Sequence, residues 1–405
     1  MLPNILFVDD DERILSALKR MLRTKRNEWN CDFANGGRKA LAMLEEKDFD
    51  VIVSDMRMPE MNGAELLDEV RKKHPGTIRI VLSGFAEEQS VLNTISSAHQ
   101  YLAKPCDKEN LTETLKRALS LRTFLDKSTA ACVVGEMNRL ATIPSVLAEL
   151  KDEINSPDAS VERLGQIVSR DIALTAQTLR ITNSAYFGVP VGVTSAGDAI
   201  RFLGMDTFRS IVLSVGIFDE CVCSQKDMES VTGLNDESLA IGALVEKICQ
   251  IENLDSRATK IAIAASSLSH IGSLILMTQW SDLYDDILVN VKESGRPVVD
   301  EEQRTFNVSH PELGAYLLGA WGFPELVVEA VAFHHSPSES DKFDFGPLTI
   351  LHASQCLIRP DFDIDLVDQV DPNILDLDYI GRSGAMSKLR GWADAAKSLQ
   401  TQGIH

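Results

Sequence analysis

The chain is most easily bounded by what it is short of. It has seven cysteines in 405 residues, at positions 31, 106, 132, 221, 223, 249 and 356. They lack the density of a disulfide scaffold, and no two CxxC pairs stand at metal-binding spacing. Cys221 and Cys223 make only a CxC, so free thiols of a reducing compartment are expected. Apolar runs approaching the roughly 20 residues that cross a bilayer are also missing. The N-terminus "MLPNILFVDDDERIL" turns acidic where a signal peptide stays apolar, so a cytoplasmic protein without a membrane partner is expected.

Basic charge is the third shortage. There are 40 Lys+Arg against 60 Asp+Glu, a net charge of −20. The imbalance is uneven: residues 1–122 hold 19 basic and 20 acidic side chains, and the remaining 283 residues hold 21 and 40. A surface that acidic repels phosphate backbones, and no basic recognition helix is found, so DNA binding by the second part is not expected.

The length exceeds one compact core and predicts two or three domains. Over the first 120 residues, short apolar runs alternate with amphipathic segments. The runs are "ILFV" (5–8), "CDFA" (31–34), "VIVSD" (51–55), "IRIVLS" (78–83) and "YLAKP" (101–105). Between them lie helical patterns such as "ERILSALKRMLR", with Ile14, Leu15, Leu18 and Leu22 on one side. Five βα alternations predict an α/β fold, a doubly wound five-stranded parallel sheet. Beyond Lys108, "ENLTETLKRALSLRTFLDK" reads as a helix, either packed on its own domain or dimerising with a second copy. From Met137 onward the pattern is helical, an all-α module of about six to ten helices by periodicity.

Asp9, Asp10 and Asp11 follow the first run, Asp55 ends the third, Ser83 the fourth, and Lys104 lies in the fifth. In such a sheet the carboxyl ends of the strands form the ligand crevice. Clustered carboxylates there suit Mg²⁺, and a hydroxyl and an ammonium beside them suit a phosphate. An Asp after a strand is often only a helix cap, but such groups at the ends of four of the five runs form a constellation.

With "FVDDD", "VSDMRMPEMNG", "VLSG" and "YLAKP", residues 3–122 resemble the flavodoxin-like receiver domain of two-component response regulators. The resemblance implies that Asp55 accepts a phosphoryl group from a sensor histidine kinase or phosphotransfer protein. Asp9, Asp10, Asp55 and the backbone carbonyl of Arg57 would hold Mg²⁺; Lys104 and Ser83 would contact the phosphoryl group and Tyr101 would respond.

The helical part carries "NSAYFG", "LGMDTFRSIVL", "HPELGAYLLGAWGFP" and "VAFHH", and resembles the HDOD family, HD-related output domains. The expected division is a receiver at 1–122, a helical linker at 123–136 and an HDOD domain at 137–405. Its core would span about 137–340, with a helical extension beyond. HDOD domains resemble HD-type metal phosphohydrolases, including HD-GYP enzymes acting on cyclic di-GMP, but generally lack the complete metal site. Here the first histidine of the hydrolase pattern is Glu237, the His-Asp pair is Ser269 and His270, and the final Asp is Gln355. His310, His334 and His335 remain at matching positions, and no GYP signature is visible.

The stretch "SSLSHIGSLILM" around His270 accordingly reads as a structural helix of an HD-like bundle. The resemblance implies a non-catalytic output domain without a metal cofactor, acting by protein contact on a downstream regulatory protein, with a cyclic-di-GMP enzyme among the candidates. A second copy of the chain is a further candidate partner. The alternative is a metal-dependent phosphohydrolase or cyclic-di-GMP phosphodiesterase of residual activity.

Overall fold

In the computed structural model, residues 2–84, 97–124, 127–136, 140–183, 193–214, 225–359, 362 and 374–401 are described. The "NSAYFG" corner after Asn183, and Cys221 and Cys223, lie outside them. The five predicted runs are β1 (Asn4–Val8), β2 (Asn30–Ala34), β3 (Val51–Asp55), β4 (Ile78–Gly84) and β5 (Gln100–Lys104). They form one all-parallel sheet in the order β2-β1-β3-β4-β5. Residues 5–8, 51–54 and 78–83 are buried without alternation, because helices cover both faces of a parallel sheet.

The flanking helices are α1 (Glu12–Met21), α2 (Gly37–Glu46), α3 (Gly63–Lys73) and α4 (Lys108–Phe124). Asp11 caps α1, its carboxylate accepting from the Arg13 N–H at 2.8 Å. Asn62 and Glu65 close a reciprocal capping box on α3. A Cβ on Gly63 would lie 2.2 Å from the Asp55 carbonyl oxygen, so only glycine lets α3 begin this close to the end of β3.

After α4 comes α5 (Lys127–Glu136), whose Ala130, Ala131, Val133 and Val134 are buried. It packs against α3 and against a helix of the second module, so within this chain the linker segment joins the two modules. That module comprises α6 (Pro144–Asn155), α7 (Val161–Val168), α8 (Ile172–Asn183), α9 (Ala196–Leu203), α10 (Met205–Ser214), α11 (Gln225–Ile251), α12 (Ser256–Leu268) and α13 (Ile271–Gln279). It continues through α14 (Ser281–Ser294), α15 (Val298–Phe306), α16 (His310–Ala320), α17 (Glu325–Phe333), α18 (Pro347–Leu357), α19 (Leu377–Arg382) and α20 (Leu389–Thr401).

Fifteen α-helices from Pro144 onward, among the described residues, exceed the six to ten expected. Periodicity merges helices that meet at tight corners: Gly204, at φ 80°, separates α9 from α10 with a single residue. The "SSLSHIGSLILM" stretch is likewise two helices rather than one, broken at Ser269 and His270. The segment Ser256–Gln279 is long and apolar enough to cross a membrane by composition, but 83% of its window is buried inside the fold, which makes it core.

The apolar core runs through both modules. One cluster joins Ile5, Phe7 and Leu102 of the sheet to Ile172, Leu317 and Trp321. Polar ties reinforce it: Gln100 Nε2 donates to the Ala320 carbonyl at 2.9 Å, Arg180 donates to the Ala98 carbonyl, and the Arg180 guanidinium lies 4.6 Å from the Trp321 ring centre.

Candidate functional site

The sheet register builds the crevice. Val8 pairs with Ser54, so Asp9 and Asp55 emerge side by side; Asp55 pairs with Leu82, and Gly84 with Lys104. The Lys104 ammonium bridges the two carboxylates, 2.8 Å from Asp9 Oδ2 and 2.5 Å from Asp55 Oδ1. Asp9 is buried, Asp55 half-buried, Ser83 buried at the end of β4, and Asp10 exposed at the rim. Burial raises the Asp55 carboxyl above its ordinary range, an effect the Lys104 ammonium opposes. Burial also disfavours the charged lysine, but the hydrogen bonds to Asp55 and Asp9 outweigh it and leave its pKa raised.

The other oxygen of Asp55 accepts the Arg57 N–H at 3.1 Å, while the Arg57 side chain points outward. Asp9 Oδ1 accepts the Asp11 N–H at 2.9 Å. The three consecutive aspartates thus separate: Asp9 faces the crevice, Asp10 its rim, and Asp11 caps a helix and pairs with Arg13. Tyr101 is buried on β5 beside Gln100, against the helical module.

In the helical module the structure brings three of the seven singled-out residues together. His310, at the start of α16, and His334 and His335, just after α17, each offer a ring nitrogen within 4.8 Å of the others. His270 stands beside them, its ring centre 6.0 Å from that of His310 and 6.3 Å from that of His334, with Nδ1 3.0 Å from Ser238 Oγ. Gly272 explains the approach: a Cβ there would lie 2.0 Å from the His310 carbonyl oxygen. Glu237 is exposed, Ser269 is buried and donates to the Ser266 carbonyl, and Gln355 is half-buried on α18; none of the three joins the histidine group.

One participant was not among the sequence candidates. Glu302, fully buried on α15, accepts from His310 Nδ1 at 2.7 Å, from the His310 backbone N–H at 2.8 Å and from the Tyr284 hydroxyl at 2.8 Å. Burial alone would raise its pKa, but His310 more than offsets this and holds it lowered. In "DEEQRTF" it resembles any helix glutamate, and only the packing of α15 on α16 singles it out. His352 is structural: its Nδ1 donates to the His334 carbonyl at 2.7 Å and its Nε2 accepts the Asp376 N–H at 2.9 Å.

Residues 5–116 match the response regulator receiver domain, and residues 140–337 match the HDOD domain. The chain joins a receiver domain to an HDOD domain. This receiver–HDOD protein is therefore a response regulator with an HD-type output domain. Among curated relatives, the transcriptional regulatory protein ZraR of Escherichia coli (strain K12) is 31% identical over 144 residues, covering 35% of this chain and 32% of that protein. The regulatory protein AtoC of the same strain is 33% identical over 121 residues, 30% of this chain and 26% of that protein. The receiver–HDOD chain thus spans a third or less of the length of these relatives. Among solved structures, the MmoQ response regulator from Methylococcus capsulatus str. Bath is 24% identical with a TM-score of 0.45, covering 62% of this chain and 97% of that one. The signal receiver domain of an HD domain-containing protein from Pseudomonas fluorescens Pf-5 is 30% identical with a TM-score of 0.29, covering 30% of this chain and 98% of that one.

Proposed function

We propose that Asp55 is the phosphoacceptor of a two-component relay and that its phosphorylation changes how the receiver packs on the HDOD module. The observation that carries this reading is the Lys104 ammonium held between Asp55 and Asp9 at the ends of three parallel strands. An Asp55 oxygen attacks the phosphorus of a phosphohistidine on a sensor kinase or phosphotransfer protein. An O–P bond forms as the donor's N–P bond breaks, and the imidazole leaves. The carboxylate donor set fits Mg²⁺, which Asp9, Asp10, Asp55 and the Arg57 carbonyl would hold; the ion supplies further charge compensation in such transfers. Lys104 exchanges its bond to Asp55 for one to the new phosphoryl oxygens, and Ser83 offers them a hydroxyl.

The switch has a structural route. Gln100 and Tyr101 precede Lys104 by four and three residues on β5, and Gln100 is bonded to the end of α16. Displacing Lys104 from Asp55 therefore disturbs the strand that carries the joint with the HDOD module. The output is protein contact rather than hydrolysis, because a binuclear centre needs a bridging carboxylate and His270 stands at that position in the hydrolase pattern. The acidic surface of the HDOD half selects a basic face on the downstream protein. Likeness to HD-type hydrolases makes an enzyme of cyclic-di-GMP turnover the first partner to test. The phosphoacceptor is tested by incubating the protein and its Asp55→Asn variant with the labelled cognate kinase. Label appears on the native chain only; label retained by the variant sinks the assignment.

A further inference from the structure

We infer that His310, His334 and His335 form a mononuclear site for a divalent transition-metal ion of the zinc class, with Glu302 fixing His310 from behind. The HDOD resemblance by itself predicts no metal here, but the way the imidazoles are held does.

His310 and His334 are 1% and 0% exposed, and the Nε2 atom of each is enclosed without a hydrogen-bond partner among the described residues. Their Nδ1 atoms are engaged, at 2.7 Å from Glu302 Oε2 and 2.7 Å from the Val331 carbonyl. Both of these partners accept only, so each Nδ1 carries a proton and Nε2 is the nitrogen of each ring left free to ligate. Two buried ring nitrogens left without a partner are costly, and an ion between them would engage both. His335 closes the group, with its ring centre 5.0 Å from that of His310 and 4.4 Å from that of His334.

The donor set selects the ion. Neutral imidazole nitrogens suit zinc and its transition-metal neighbours, whereas Mg²⁺ and Ca²⁺ demand oxygen. A carboxylate behind a ligating histidine raises its basicity and fixes its orientation, and Glu302 does this for His310. His335 lines a cleft of about 480 Å³ whose wall includes Asp300, Glu312, Glu339 and Asp376, an acidic approach that concentrates cations. Three protein ligands leave a coordination position open, as in zinc sites that take a water or a ligand. No carboxylate belongs to the ligating group, so one ion rather than a bridged pair is assigned.

The test uses the full chain, stripped with chelator and titrated with Co²⁺ followed by optical absorption, with Zn²⁺ competition and elemental analysis. One ion per chain is expected, with His334→Ala binding at least tenfold more weakly and Glu302→Gln roughly 10- to 100-fold more weakly. His335→Cys, at the half-buried position, keeps the fold and introduces a thiolate-to-cobalt charge-transfer band. A natively folded chain, checked by circular dichroism, that takes up no ion overturns the assignment. So does an ion bound with unchanged affinity by His334→Ala, or a His335→Cys cobalt complex without the thiolate band. Because the readout is metal uptake, it is independent of whether Asp55 is the phosphoacceptor.

Discussion

Identical residue types take different roles according to where the backbone delivers them. Asp9 and Asp11 are two positions apart, yet one is buried against Lys104 and the other caps a helix. The same holds for the histidines: His352 satisfies both ring nitrogens, while His310 and His334 satisfy only one each. His99 supplies a pH prediction. It is buried, its Nδ1 accepts the Arg79 N–H at 3.0 Å, and the Arg79 guanidinium lies 3.1 Å from Nε2. Burial and that guanidinium hold it well below the usual histidine range. The unfolded chain therefore binds a proton below about pH 6.5 that the native chain refuses. Its stabilising effect is complete above that pH and is lost as pH falls, at about 1.4 kcal/mol per pH unit while the ring stays neutral. Buried Asp171, raised to about 6 by desolvation, acts in the opposite sense. Thermal melts from pH 7.5 to 5.5 should show a smaller acid-induced loss for His99→Gln than for the native chain; equal losses would refute the role of His99.

At the scale of elements, two glycines set the geometry of both sites. Gly63 lets α3 start against the Asp55 carbonyl, and Gly272 lets α13 start against the His310 carbonyl. At each, an added methyl group meets backbone that cannot rotate away. Gly272→Ala should therefore cost about 3 kcal/mol, the upper end of overpacking penalties, measured by urea unfolding. It should also separate His270 from His310, seen as a changed imidazole environment by NMR. A loss under about 0.5 kcal/mol would show that the two helix starts are not locked, since that is the usual scatter of surface substitutions. The break at His270 was hidden from periodicity because Ser266 to Met277 is apolar or small apart from that one histidine, and so uniform a stretch has no phase to lose.

The whole molecule is organised around α16. One end carries His310 and the other, through Ala320 and Trp321, meets Gln100 and Arg180 at the receiver face. The two modules therefore share a core and a hydrogen-bonded joint rather than a loose tether. A phosphoryl mimic such as beryllofluoride, added with Mg²⁺, should raise amide hydrogen exchange in residues 98–104 and 316–323 several-fold in the native chain and leave Asp55→Asn unchanged. Unaltered exchange at this joint on loading the native receiver would remove the proposed route from phosphorylation to output.

The receiver half was legible in the sequence. Its five strands, their parallel direction and the convergence of Asp9, Asp55, Ser83 and Lys104 at one edge follow from alternating βα units, because strand ends in such a sheet lie within a few residues of the apolar runs that mark them; the order β2-β1-β3-β4-β5 came from the structure. The helical character of the rest was legible too, and the resemblance to HD-type hydrolases marked His310, His334 and His335. Which histidine nitrogens are satisfied, that Glu302 backs His310, where α12 ends and α13 begins, and that β5 is bonded to α16 emerge from the folded chain alone. Those contacts join residues that are distant along the chain and come from short helices meeting at many angles, so no local period encodes them; packing does.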